Sequence, residues 1–161
     1  MKTKFECRKD DSKLTLLVTG EITGETDFPS LHPDPERTLS IHFNDVRYIN
    51  SGGVRNWISW IRKTNKAFGT QIAFENLPPI FVRQAAQIKD FLPSNRVIES
   101  FVVPYYCSYC KTNTEILFEK DKNWNLAWDR AKLIQKLSHT ICPSCSSIAE
   151  IDASPESYTI L

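Results

Sequence analysis

Residues 38–68, TLSIHFNDVRYINSGGVRNWISWIRKTNKAF, combine a buried strand, a polar turn and a long amphipathic helix. The strand is TLSIHF at 38–43. Residues 51–68 then place apolar side chains three or four positions apart, which is the spacing of a helix that packs on one face. Gly69 follows as a helix C-terminal residue. This stretch predicts a strand and a helix that lie in neighbouring layers.

The flanking sequence predicts further short strands and one more helix. These elements are strands at 5–8, 14–22, 71–75 and 97–103, a proline-limited turn at 26–37 and a helix at 80–89 that begins after two prolines. Their order predicts an α/β fold in which helices pack on a mixed β-sheet. We expect this unit to end near Pro104, which divides the chain into domains 1–104 and 105–161.

Composition narrows the class of protein. The chain has 161 residues, of which 41% are hydrophobic and 24% charged, which is typical of a folded protein. A net charge of +1 disfavours a general attraction to nucleic acid or to an anionic membrane. No apolar run approaches the roughly 20 residues of a membrane span, and the charged start lacks the apolar centre of a signal peptide. We therefore expect a cytoplasmic protein.

Four of the five cysteines form two Cys-x-x-Cys pairs, Cys107 with Cys110 and Cys142 with Cys145. Two such pairs can hold one tetrahedral ion, and structural Zn²⁺ is the usual occupant of a closed four-sulfur site. A redox dithiol and an iron–sulfur cluster are the alternatives. His139 is close enough in sequence to substitute as a ligand. Because four thiolates already complete the shell, we expect this histidine on the surface.

The second domain is predicted to be a small zinc-ribbon-like module with a strand at 115–119, a helix from about 124 to 137 and a last strand within 151–161. The helix carries an apolar arc of roughly 220°, wider than the ~100° that a one-sided helix needs. We expect it to pack on the ribbon and also on either the first domain or a second subunit of a homodimer. Residues 105–161 are slightly acidic, which makes nucleic-acid binding by the ribbon unlikely.

Ser51 stands where a loop enters the long helix. The first turn of a helix has free N–H groups and the positive end of the helix dipole, so Ser51 can cap it and a phosphate there is tolerated. Arg55 and Arg62 fall within about 40° of Ser51 around the helix. Arg55 can therefore pair with a phosphoserine. A plain cap and a modification site remain the two interpretations.

Residues 14–103 resemble a STAS domain, the fold of bacterial anti-sigma-factor antagonists. The motifs that carry the resemblance are Thr-Gly-Glu at 19–21, Leu-x-Ile-x-Phe-x-x-Val at 39–46 and INSGGV at 49–54. In that family the last motif usually reads Asp-Ser-Ser-Gly-Leu, and a partner kinase that is also the anti-sigma factor phosphorylates the first serine. The resemblance places Asn50 at the Asp, Ser51 at the phosphorylated serine, Gly52 at the second serine and Gly53 at the glycine.

Three features depart from the family pattern. Asn50 replaces a carboxylate, Arg55 stands where the family prefers a small residue, and the first long helix is reduced to the turn at 26–37. The C-terminal tail is similar to zinc-ribbon extensions of some bacterial STAS proteins. The resemblance supports the fold more directly than it supports phosphorylation.

The resemblance implies a non-enzymatic regulatory protein of transcriptional signalling that binds an anti-sigma factor or serine kinase and is switched at Ser51. The expected partner surface consists of Asn50, Gly52, Gly53, Arg55, Trp60 and Arg62. Trp60 lies at the margin of the helix's apolar stripe, so it either contacts a partner or packs under the 26–37 segment. A constitutive STAS scaffold or transporter accessory subunit is the alternative, and a nucleic-acid-binding zinc ribbon is a third interpretation that the charge count disfavours.

The sequence offers no catalytic constellation. Its three histidines, His32, His42 and His139, occur singly, and Cys7 has no recognisable partner motif. His42 lies in an apolar strand, where a hydrogen-bonded structural role is expected. We therefore predict that the protein is not an enzyme.

Overall fold

The computed structural model describes residues 2–34 and 36–161 and has a mixed α/β fold with two β-sheets. The first part contains β1 (Lys4–Lys9), β2 (Lys13–Thr19), β3 (Thr38–Asn44), α1 (Ser51–Phe68), β4 (Ile72–Glu75), α2 (Pro79–Gln87) and β5 (Arg96–Ile98). The second part contains β6 (Ser100–Cys107), β7 (Thr112–Glu119), α3 (Arg130–Ser138), β8 (Thr140–Ile141), β9 (Ile148–Ile151) and a 3₁₀ helix (Pro155–Ile160).

The first sheet has five strands in the order β1-β2-β3-β4-β5. Strand β1 is antiparallel to β2, and the other neighbours are parallel. Leu16, Ile41, Phe74 and Ile98 stand side by side in the register of the four parallel strands. All four are buried, because alternate residues of these strands face the helices. The predicted mixed sheet with helices packed on it is confirmed at this level.

Trp57 of α1 is the centre of the core between this sheet and its helices. Its side chain is fully buried, and its ring lies 4.9 Å from that of Phe81 in α2 and 6.5 Å from that of Phe74 in β4. The indole Nε1 donates a hydrogen bond to the Phe91 carbonyl at 2.8 Å. Since rings from both helices meet over the same strands, α1 and α2 cover one face of the sheet.

Helix α1 begins and ends where the sequence predicts, but its N-cap is a different residue. The Asn50 side chain accepts a hydrogen bond from the Gly53 N–H at 2.8 Å, so Asn50 is the cap and Ser51 is the first helical residue. The expectation that Ser51 caps the helix is wrong, because the amide oxygen of Asn50 already occupies that role. Gly69 ends the helix with φ 64 and donates to the Asn65 carbonyl.

The second sheet has the order β7-β6-β9-β8 and is joined to the first through β6. The predicted strand at 97–103 is divided at Glu99, whose N–H donates to the Phe74 carbonyl at 2.9 Å. After this point the chain changes sheets: Phe101 still bridges to Leu77, while the rest of β6 pairs with β7 and β9. The boundary predicted near Pro104 falls inside β6.

Two predictions for the second part are wrong. The helix expected from about residue 124 begins at Arg130, because Asn125 forms a turn with the Ala127 N–H and Asp129 caps the Lys132 N–H. The strand expected within 151–161 is mostly the 3₁₀ helix, since Pro155 starts a helical turn there. The apolar residues before Arg130 therefore do not form one helix arc, and α3 packs on the 3₁₀ helix and β9.

Candidate functional site

The four predicted ligands come together at one point of the second sheet. The sulfurs of Cys107, Cys110, Cys142 and Cys145 all lie within 4.8 Å of one another. The shortest distances join the two pairs: the Cys107 and Cys145 sulfurs are 3.5 Å apart, and the Cys110 and Cys142 sulfurs 3.7 Å apart. Cys107 and Cys142 are fully buried, and the other two are half-buried.

Each cysteine pair lies on the same kind of turn. The Lys111 N–H donates to the Cys107 carbonyl at 2.9 Å, and the Ser146 N–H donates to the Cys142 carbonyl at 2.9 Å. Lys111 and Ser146 both adopt left-handed backbone angles, with φ 58 and 61. One turn connects β6 to β7, and the other connects β8 to β9. Two matching turns therefore present four thiols to a common centre.

The spacing of the sulfurs fits a tetrahedral metal ion. A metal–sulfur bond of ~2.3 Å at tetrahedral angles separates sulfurs by about 3.8 Å. The cross-pair distances of 3.5 and 3.7 Å are close to this value and far from the ~2.05 Å of a disulfide. Four thiolates leave no open position, which suits a structural ion rather than a catalytic one. The cluster can therefore bind a metal ion.

Local hydrogen bonds prepare part of the cluster to ionise. The backbone N–H of Ser144 donates to the Cys142 sulfur and, despite burial, lowers the pKa of that thiol. For Cys107 the backbone N–H of Cys110 acts in the same direction, but burial and the neighbouring Cys110 and Cys145 thiols raise its pKa. Metal binding needs thiolates, so the four cysteines would hold an ion in their deprotonated form, and the hydrogen bond to Cys142 favours that form.

Two polar residues near the cysteines have different roles. Thr112, which the sequence analysis did not single out, places its hydroxyl 2.9 Å from the Cys110 sulfur. A hydrogen bond of this kind orients a metal ligand. The only sequence signal for this role of Thr112 is its position two residues after a Cys-x-x-Cys pair. His139 is exposed, and its Nδ1 lies 2.9 Å from the Gln135 carbonyl. As expected, it is a surface residue.

The candidate phosphorylation site is exposed at the start of α1. Ser51, Arg55 and Arg62 all face solvent. The two following glycines are enclosed: a Cβ on Gly52 would lie 2.7 Å from the Gly24 Cα, and a Cβ on Gly53 would lie 2.4 Å from the Ile22 carbonyl oxygen. Neither distance is tolerated, so close contact with the loop after β2 accounts for both glycines. A second serine at position 52 does not fit this backbone.

Trp60 packs within the chain. Its Nε1 donates to the Pro29 carbonyl at 2.8 Å, and its ring stacks on Phe28 with 5.0 Å between centroids. Of the two predicted roles, this geometry favours packing under the 26–37 segment. Phe28 and Pro29 thus lie against the side of α1 where the Trp60 ring is half-buried.

A polar network that the sequence analysis did not predict lies on the other face of the first sheet. Glu75 accepts hydrogen bonds from Lys13 and, at 2.6 Å, from Ser40, and one of its oxygens is 3.3 Å from Nδ1 of His42. Nε2 of His42 lies 3.1 Å from the Asn76 amide nitrogen, so the structural role expected for His42 is confirmed. Burial alone would raise the pKa of Glu75, but these hydrogen bonds lower it to about 2.

A cleft of about 890 Å³ lies between the first sheet's carboxyl edge and the C-terminal segment. Phe43, Val82 and Tyr158 form its buried floor, and Arg47 and Glu115 stand on its rim. The cleft joins residues far apart in sequence, so no local pattern predicts it. Its charged rim has both signs, with Arg47 paired to Asp45 at 2.5 Å.

Comparison with known families, curated proteins and solved structures finds no match to this chain. Among the helices within residues 2–34 and 36–161, none has the length and hydrophobicity that a bilayer crossing requires. The fold and the cysteine geometry are therefore the observations on which a function can be argued.

Proposed function

We propose that the protein is a STAS-like regulatory binding module with a zinc ribbon, acting in the cytoplasm in the manner of an anti-sigma-factor antagonist. The observation that supports this most is Ser51, an exposed hydroxyl at the first position of α1 with the exposed Arg55 one turn further on. Parallel strands with α1 and α2 on one face suit the STAS-like interpretation.

Phosphorylation would change the surface at this point without disturbing the core. A phosphoserine adds a charge of about −1.5 to −2 at the positive end of α1, where Arg55 is within reach of it. The Asn50 cap and the enclosed Gly53 keep the helix start in place. A partner serine kinase or anti-sigma factor docked around Ser51 then loses contact through charge and desolvation, because the fold itself stays the same.

Intact-mass analysis after incubation with cell extract and ATP tests this proposal. We expect one added phosphate that maps to the peptide containing Ser51 and is absent in Ser51→Ala. Ser59→Ala is the matched control, since Ser59 is exposed on the same helix two turns away. An unmodified wild-type chain, or a phosphate that persists in Ser51→Ala, counts against the switch.

A constitutive scaffold or transporter accessory subunit is the second candidate, favoured by two observations. Gly52 has no room for the second serine of the family motif, and Asn50 is committed to capping α1 instead of supplying a carboxylate. In this role the surface around α1 would bind its partner permanently. Binding of one purified partner that is unaffected by Ser51→Asp would select this candidate.

We assign Zn²⁺ as the ion of the cysteine cluster. A closed set of four thiolates at tetrahedral spacing is the donor set that structural zinc prefers, and a reducing cytoplasm keeps the thiols free to bind it. Zinc in this place would crosslink the turn after β6 to the turn after β8, and the closed set of four ligands favours a structural role.

A further inference from the structure

Helix α1 carries a row of exposed positive charge. Its 18 residues include no acidic side chain and four basic ones, all exposed: Arg55, Arg62, Lys63 and Lys66. At 100° per residue, Arg55, Arg62 and Lys66 fall within about 40° of one another. They extend over roughly 16 Å of the helix axis. We call these four residues and the exposed Ser59 between them the basic strip.

The protein itself does not neutralise the basic strip. None of the ion pairs formed within residues 2–34 and 36–161 involves α1. Other exposed cations do have partners, such as Lys122, whose Nζ is 2.8 Å from the Glu119 carboxylate. Arg62 and Lys66 stand four residues apart, where like charges repel on a helix. The fold thus presents a positive surface on α1 that is not engaged in ion pairs within the described residues and is open to an external anion.

We propose that the basic strip binds the phosphate backbone of double-stranded nucleic acid. Arginine, lysine and serine are among the side chains that contact phosphates, and the strip consists of these three types. Over 16 Å a duplex presents about ten phosphate charges, more than enough for every cation of the strip. The near-neutral net charge of the whole chain disfavoured nucleic-acid binding in the sequence analysis. That value sums all charges of the chain, whereas the structure places four positive charges together on α1.

The strip lacks what other anionic partners use. The apolar residues Trp57, Ile61 and Phe68 of α1 are buried against the sheet, and α1 contributes no exposed large hydrophobic side chain. A helix lying on a membrane needs an apolar face, which α1 does not expose. Single strands bind through exposed aromatic rings, which the strip also lacks. These contrasts favour a duplex.

Fluorescence anisotropy with a short labelled DNA duplex and the full metal-loaded chain tests the proposal. If three phosphates are neutralised, log K falls with log salt at a slope near −2.7, so affinity drops about 40-fold between 50 and 200 mM salt. Arg62→Gln combined with Lys66→Gln is expected to weaken binding at least tenfold and to reduce the slope by about 2. Both residues are exposed, so circular dichroism should show an intact fold.

The matched control is Lys4→Gln combined with Lys136→Gln, which removes the same charge from exposed positions on β1 and α3. We expect its affinity within about twofold of wild type. Equal losses in the two double variants, tighter binding to polyglutamate or to anionic vesicles, or no duplex binding at 50 mM salt would overturn the proposal. Arg62 also belongs to the expected partner surface, but Ser51 is unchanged in every variant, so duplex binding and phosphorylation of Ser51 are tested by separate measurements.

Discussion

The two sheets of this protein are stabilised in different ways. The five-stranded sheet has a continuous apolar core in which Trp57 contacts rings from both helices and the strands. The far side of the four-stranded sheet is a hairpin of two very short strands, and its facing residues Ile141 and Ile148 are 65% and 69% exposed. This hairpin has little apolar surface to bury, and the four-thiol cluster lies at its turn instead of an apolar core. We infer that the first sheet depends on packing and the hairpin on metal.

Metal removal is expected to have the largest effect on stability and to destabilise only the four-stranded sheet. Structural zinc supplies about 10 to 16 kcal/mol of apparent binding free energy at neutral pH. Treatment with a chelator, or Cys142→Ser, should therefore remove close to one zinc per chain and unfold the β8–β9 hairpin. Metal analysis and hydrogen exchange measure both, with exchange rising in β8 and β9 while β2 and β3 stay protected.

Cys7→Ser is the control for this experiment, because Cys7 is exposed on β1. Its metal content should equal that of the wild type. A metal-free chain whose hairpin is still protected would show that apolar packing suffices there. Simultaneous loss of β2 and β3 would show that the two sheets do not differ in their source of stability.

Trp57→Ala is expected to destabilise the five-stranded sheet and to leave metal binding unchanged. Removing this side chain leaves a large cavity and an unpaired Phe91 carbonyl, at a cost of about 3–5 kcal/mol in the free energy of unfolding. Urea titration should show the loss, while metal content stays at the wild-type level. Trp60→Ala should cost less than half as much, since Trp60 is half-buried. Equal costs for the two variants would contradict the central position of Trp57.

The polar network under the first sheet is expected to give the smallest effect, visible only in acid. The pKa of Glu75 is about 2 in the folded protein against 4.5 in the unfolded chain. Its stabilisation is therefore complete above pH 4.5 and is lost as the pH falls towards 2. The full shift corresponds to about 3 kcal/mol, which partial exposure reduces to roughly 1–2 kcal/mol.

Urea titrations of wild type and Glu75→Gln between pH 2 and 7 measure this contribution. The variant should be less stable at neutral pH and should lose less stability on acidification. Acid also protonates the cysteine thiolates, but it does so in both proteins, so their difference isolates Glu75. Glu6→Gln serves as the control, because the Glu6–Arg8 pair is exposed and should leave the acid profile nearly unchanged. Parallel profiles for wild type and Glu75→Gln would contradict the network's role.

Local patterns predicted the parts of the molecule that are determined locally. Helix α1 is recognisable because its apolar period continues unbroken from Val54 to Phe68 and Gly69 stops it. The four thiols are recognisable because each pair has the spacing of one metal-binding turn. In contrast, the apolar residues at 124–128 imitate a helix, and only the capping side chains of Asn125 and Asp129 show where α3 begins.

Long-range features had no such signal. The division at Glu99 depends on a hydrogen bond to Phe74, which is far away in sequence. The network around Glu75 depends on the parallel register that places Ser40 and His42 beside it. The cleft above α2 similarly requires the C-terminal segment to fold back. These contacts follow from topology, which apolar periodicity does not encode.

Strand β6 limits how the C-terminal part of the chain could be transplanted onto another protein. At one end of β6, the Ser100 hydroxyl accepts a hydrogen bond from the Asn76 N–H, which follows β4 of the first sheet. At the other end, Cys107 contributes to the thiol cluster. A recombination event that transferred residues 105–161 alone would cut β6 beside Pro104, which pairs with Glu115 of β7. The recipient would gain the thiols without the strand on which β7 and β9 assemble. A transplanted tail would therefore have to include β6 to keep the sheet that presents the four thiols.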